Sequence, residues 1–220
     1  MTYLLIGSIV GVSLLALREP RIFHRFCFWV EPVLARDGIR MISSAFLHAD
    51  TTHLAFNMLS LYFFGDALEA SLNSVQYTAI AAGSLIGGNL LALRMHRNDP
   101  SYRAVGASGM VSGLIFSAII LYPEIRIGIL FLPFMLPGWI YGLLFLGISL
   151  FGMKRAMDNI GHEAHLGGAL SGLFLTLVLF PERLYSGNIE LWALAVACIG
   201  LLTLSILRPQ LFERIGQRNL

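Results

Sequence analysis

The chain has 220 residues, of which 56% are hydrophobic and only 13% charged, with a net charge of +2 and a mean hydropathy of +0.73. That much apolar surface exceeds what a soluble core of this size hides, so lipid is the expected solvent. The near-neutral balance and scattered basic residues argue against a nucleic-acid partner, and Cys27 and Cys198 lack metal-ligand spacing and lie in segments not expected to meet.

Runs without charge at 2–17, 51–65, 72–93, 104–123, 127–153, 166–180 and 191–207 mostly approach the about 20 residues that cross a bilayer, and predict seven crossings. The first has no basic segment before it and no small-x-small cleavage site at Ala16-Leu-Arg18, so it reads as a retained anchor ending at Arg18-Glu-Pro20. A long segment to about Asp50 mixes Phe23, Phe26, Phe28 and Trp29 with Arg21, Arg25 and Arg36, which suits elements lying in the headgroup layer.

The second helix is expected over about 51–69. The short Ser71-Leu-Asn-Ser74 turn predicts that the third, running to Leu93, is its antiparallel neighbour. The fourth begins near Gly106 and closes at Tyr122-Pro123. Pro133 and Pro137 interrupt the next apolar run, which predicts a re-entrant or surface segment to about Leu136 and a fifth helix over about 138–151. Residues 154–163 read as a loop, a sixth helix headed by His165 ends at Phe180-Pro181, and a seventh over about 189–207 precedes a polar tail. No internal repeat is present, which sets aside transporters built from duplicated halves.

Three polar motifs sit at the mouths of these segments. Ser108, between Gly106 and Gly109, lies where a loop becomes a helix. Flanking glycines permit a sharp turn there, uncover the hydroxyl and aim amide N–H groups at whatever the serine attacks. His165 is followed by Gly168 and Gly172, and Ser108 by Gly109 and Gly113. Small residues four apart on both helices allow the backbones close enough for a serine and a histidine to meet. His53 and Asn57 share a helix face and can both donate to a developing oxyanion beside the Ser108 amide, with His48 just outside that helix as a brace. The histidines of Gly161-His162-Glu163-Ala164-His165 are three apart, unlike a His-Glu-x-x-His zinc helix, and Asp66 has no second membrane aspartate beside it. No metal or cofactor is expected.

His48-x4-His53-x3-Asn57, Gly106-x-Ser108-Gly109 and Ala164-His165-x2-Gly168, in that order over about 40–180, resemble the rhomboid intramembrane serine proteases. The resemblance implies an all-α, polytopic membrane bundle, a single domain over 1–220, with a six-helix core over about 1–181 and an added C-terminal helix over about 189–207. It implies a Ser108/His165 dyad without a third acidic member, and an oxyanion site from His53, Asn57 and the Ser108 amide. Arg40 and Glu69 match positions that tie down the first loop and its junction with the second helix; Gly106, Gly109, Gly168 and Gly172 support the site. The partners implied are transmembrane protein substrates and the lipid bilayer, in a bacterial plasma membrane. The alternative is a catalytically weak or inactive relative that binds membrane proteins for quality control.

Two positions depart from the pattern. Ile39 stands before Arg40 where the family often has Trp, and Ser112 stands four after the serine where it often has a Tyr stacked on the histidine. Of the 15 Lys and Arg residues, all but Arg126 and Arg183 fall on the motif side, which by the positive-inside rule turns the mouth to the cytoplasm; the resemblance implies the opposite side.

Overall fold

In the computed structural model, residues 1–128, 133–155, 161–185 and 187–207 are described. The chain is mostly helical. The longer helices are α1 (Thr2–Arg18), α5 (Thr51–Glu69), α6 (Ser74–His96), α7 (Ser108–Leu121), α8 (Gly138–Arg155), α9 (His162–Leu179) and α10 (Ile189–Leu207). Between α1 and α5 run α2 (Pro20–Phe26), β1 (Phe28–Trp29), α3 (Val30–Leu34), α4 (Arg40–Ser43) and one 3-10 turn, Ser44–Phe46. By length and hydropathy α6 alone among the described residues meets the test for a spanning helix, and four further apolar helical stretches are shorter.

Two short ladders supplement the helices. β1 pairs antiparallel with β2 (Arg103–Ala104), and β3 (Arg126–Gly128) pairs antiparallel with β4 (Met135–Pro137). The first ladder ties the long loop after α1 to the loop that leads into α7. The second takes up the proline-interrupted stretch before α8: Pro137 stands at its last register position, opposite Arg126, where a missing N–H is tolerated.

α7 is the axis of the bundle, with Gly109–Leu121 buried throughout, as expected of a helix apolar on every side. α9 wedges between α7 and α6 on small residues. A Cβ added to Gly88 would lie 2.6 Å from the Ala164 carbonyl oxygen, and one on Gly167 2.6 Å from that of Gly87. A Cβ on Gly168 would overlap the Gly109 carbonyl, and one on Gly172 the Gly113 carbonyl. In lipid, where burial of apolar surface supplies little association energy, such close backbone approach is what holds helices together. The hydroxyls of Ser117 and Thr176 add a polar contact of 2.8 Å across the same seam.

The expectation that α5 and α6 pack as antiparallel neighbours is not met. α5 lies on α7 and α1, while α6 lies on α9 and α7, and the two touch only slightly. The turn between them is tight, with Asn73 and Gln76 forming a capping box, but the glycine face of α6 turns it toward α9. The outer faces carry large apolar side chains such as Leu4 (76% exposed), Ile148 (66%), Phe174 (64%) and Val196 (63%), a surface that water would penalise and acyl chains would not.

Candidate active site

Two hydrogen bonds hold the loop entering α7. The Gly106 N–H donates to the Ser44 carbonyl (3.0 Å), and the Ala107 N–H donates to His48 Nε2 (3.4 Å). His48 is fully buried. With Nε2 accepting, its proton sits on Nδ1 and donates to Ser13 Oγ of α1 (2.9 Å), and that hydroxyl donates to the Phe46 carbonyl (2.8 Å). Burial first, and the neighbouring His53 second, lower the His48 pKa to about 4, so the ring is neutral at physiological pH as this chain of donors requires.

Gly106 has φ +125°, a backbone state that side chains rarely adopt, and a Cβ there would lie 2.7 Å from His53 Cε1 and 3.6 Å from Ser108 Oγ. His53 and the Ser108 hydroxyl therefore flank the same small space over Gly106. Ser108 opens α7, and its N-cap, Ala107, offers no side chain to the first-turn amides. Those amides are available to an anion.

His165 lies in the first turn of α9, which starts three residues before it, at His162, not at His165 itself. Residues 156–160, in the expected loop before it, and the tail beyond Leu207 fall outside the described residues. A Cβ on Gly109 would lie 3.0 Å from the Ala164 carbonyl, so the residue after Ser108 lies against the residue before His165. The helix starts that carry the two side chains thus meet at the tight end of the glycine seam. Ser108, His53 and His165 are all half-buried. Phe145 of α8 sits 6.1 Å from the His165 ring at an interplanar angle of 33°, and packs on Phe116 and Tyr141. Ser112 turns inward and donates to the Ser108 carbonyl (2.7 Å).

The other sequence candidates divide. Asn57 is buried one turn beyond His53, and its amide donates to the His53 carbonyl (3.0 Å). Arg40 is buried beside Trp29 and donates to Asp37 (3.0 Å) and to the carbonyls of His24 (3.0 Å) and Cys27 (2.9 Å), drawing the long loop together. Arg40 first, and Arg25 second, in turn hold the Asp37 carboxyl below the usual carboxylate range. Glu69 is a correction: it lies at the far end of α5, about 24 Å from His53 by helix rise, where it pairs with the Met1 amino group (2.8 Å) and accepts from the Thr2 N–H. It ties the start of α1 to α5, and not the first loop to the start of α5.

Sequence reasoning passed over several residues that shape the site. Asp50 caps α5 by accepting from the His53 N–H (2.7 Å), a role that an aspartate just before an apolar run could have announced. Asn89 donates to the Met41 carbonyl (2.8 Å) and Ser44 Oγ (3.2 Å), pinning the long loop to α6. Ser13, Ser44 and Phe145 carry no local signal, because each acts on a partner distant in the chain.

The Rhomboid domain family matches residues 35–182, a segment that contains all three motifs. The chain belongs to the rhomboid family. Among its relatives, RHOMBOID-like protein 12, mitochondrial, of Arabidopsis thaliana is 30% identical over 145 residues, covering 59% of this chain and 43% of that protein. Rhomboid protein 1, mitochondrial, of Saccharomyces cerevisiae is 31% identical over 140 residues (61% and 40%). The YdcA protein of Bacillus subtilis, whose name carries the words rhomboid protease, is 31% identical over 146 residues (66% and 68%). This rhomboid therefore spans about two fifths of the length of the two mitochondrial relatives. Rhomboids are integral membrane proteins, which accounts for the apolar outer faces of the bundle.

Proposed function

We propose that this rhomboid is an intramembrane serine endopeptidase in which Ser108 is the nucleophile and His165 the base. The observation that carries the reading is the contact of Gly109 with Ala164, which brings together the helix starts bearing the two side chains. His165 takes the hydroxyl proton as Ser108 Oγ attacks a peptide carbonyl. The tetrahedral oxyanion is met by the Ser108 N–H, by His53, and by the second N–H that Asn57 keeps after bonding the His53 carbonyl. His165 then protonates the leaving amine, and water, activated by the same ring, hydrolyses the acyl-enzyme.

In this reading α1, α5, α6, α7, α8, α9 and α10 cross the bilayer, six as a core and α10 beside it, and residues 1–220 form one domain. The 14 residues of α7 span about 21 Å against a hydrocarbon layer of about 30 Å, so Ser108 lies roughly 10 Å below the membrane surface when the far end of α7 reaches the opposite interface. Water must descend to it, and a substrate helix must unwind to expose a carbonyl, so small or helix-breaking residues near the scissile bond are expected. The bacterial plasma membrane is one of two homes that the relatives' names and organisms suggest, the mitochondrion being the other.

Purified protein in detergent or liposomes tests the assignment. Ser108→Ala and His165→Ala should each abolish cleavage of a transmembrane substrate, and Ser108→Ala should abolish labelling by a fluorophosphonate. Cleavage retained by either purified variant refutes the dyad. Folded wild-type protein that neither cleaves nor labels would instead point to a non-catalytic membrane-protein binder.

A further inference from the structure

The first turn of α9 carries a buried pair that the reaction above does not use. His96, the last residue of α6, lies with Nε2 3.0 Å from Glu163 Oε1, and the two side chains are only 9% and 6% exposed. Tyr102 stacks flat on the His96 ring, with centroids 3.6 Å apart and planes within 6°. The Tyr102 carbonyl accepts from the Val30 N–H (3.1 Å) and its ring meets Phe28 edge-on, so the pair is roofed by the loop ladder that leads to Ser108. On the other side of the same turn, His162 packs against Gly152 of α8. His165 follows Glu163 by two residues.

We propose that the His96–Glu163 pair is a positioning device for the base: it locks the first turn of α9 onto the end of α6 and so sets where His165 stands relative to Ser108. The argument starts from the seam. Glycine faces let α6, α7 and α9 approach closely, but they present few protruding side chains to fix how far one helix slides along another. A directional polar contact at one end supplies that register. Burying an ionisable pair is costly, and its best-attested use is specifying one arrangement over its neighbours rather than adding stability. The pair sits at the end of the seam where an axial shift matters most, since about 1 Å of misplacement at a reacting group costs on the order of 100-fold in rate.

The proposal rests on the serine-protease reading, and the test separates the two. A fluorescent fluorophosphonate is reacted with full-length protein in detergent, giving kinact and KI alongside the unfolding midpoint. His96→Ala and Glu163→Ala should each lower kinact by about 10-fold or more with KI nearly unchanged, and the double variant should be no slower than the singles. His96→Gln, whose amide nitrogen reaches about where Nε2 stands, should recover kinact to within about threefold of wild type, a rescue that loss of bulk packing would not produce. Wild-type kinact in both alanine variants overturns the clamp, as do single effects that multiply in the double. If the alanine variants do not fold, His96→Leu and Glu163→Met, which keep much of the volume but cannot hydrogen-bond, should show the same loss of kinact, and wild-type kinact in both overturns the clamp. A wild-type protein that does not label sinks both readings, because His165 then has no reaction to be positioned for; a labelled wild type with indifferent variants sinks the clamp alone.

Discussion

Replacing Gly106 by alanine puts one methyl group where the geometry leaves no room for it. The new Cβ would lie 2.7 Å from His53 Cε1 and 2.9 Å from Nε2, against an ordinary carbon contact of about 3.5–4.0 Å, so the ring must retreat by about 1 Å. The φ of +125° adds roughly 1–3 kcal/mol of backbone strain for any residue with a Cβ. Relieving that strain by rotating the loop would break the bonds from Gly106 to Ser44 and from Ala107 to His48, and Ser108 would move with them. Either route displaces a group at the site by about 1 Å, which predicts a loss on the order of 100-fold in the fluorophosphonate labelling rate. Gly38→Ala, where an added Cβ meets nothing within 4 Å, is the matched control. Gly106→Ala protein that labels at the wild-type rate with an unchanged unfolding midpoint would refute the argument that His53 and Ser108 share the space over Gly106.

Further variants probe the supports separately. His48 has its pKa lowered to about 4, so below the ordinary histidine value the unfolded chain takes up a proton that the native chain refuses. Stability is therefore full above about pH 6.5 and falls by roughly 3 kcal/mol as pH drops toward 4; His48→Gln should flatten that slope in detergent unfolding curves. Phe145→Ala should slow labelling about 10-fold while Ser112→Ala leaves it within about twofold, because the ring contact to His165 comes from α8 and not from the helix of the serine; equal effects would place the support elsewhere. Gly168→Ala drives a methyl into the Gly109 carbonyl and should cost about 1–3 kcal/mol in unfolding free energy together with most of the labelling, whereas stability near wild type would mean that the seam can open. Gly7→Ala and Gly11→Ala lie on an open face of α1 and should each raise stability by about 0.5–1 kcal/mol, as replacing a helical glycine does.

Which parts of this molecule were legible in its sequence follows from how local each signal is. The Ser108 loop, the histidine face of α5 and the glycines after His165 are short-range patterns of residue type and spacing together, so they could be read before any fold was known. Phe145, Ser13 and the His96–Glu163 pair could not, because each side chain acts on a partner brought near only by the packed bundle. The misjudged neighbour of α5 is the instructive case. The Ser71–Ser74 connection is short enough to force two helices side by side, yet connection length governs only the end where the chain turns. Farther along, α6 offers Gly83, Gly87 and Gly88 to whichever helix can come closest, and α9 answers with Ala164, Gly167 and Ser171. α5 instead carries Phe56, Leu59 and Phe63 outward, side chains too large for such an approach and suited to lipid. The size of the facing residues, also written in the sequence, outweighs the length of the turn; comparing glycine faces across all helices before pairing them by loop length would have joined α6 to α9 and set Ser108 and His165 at the same end of one seam.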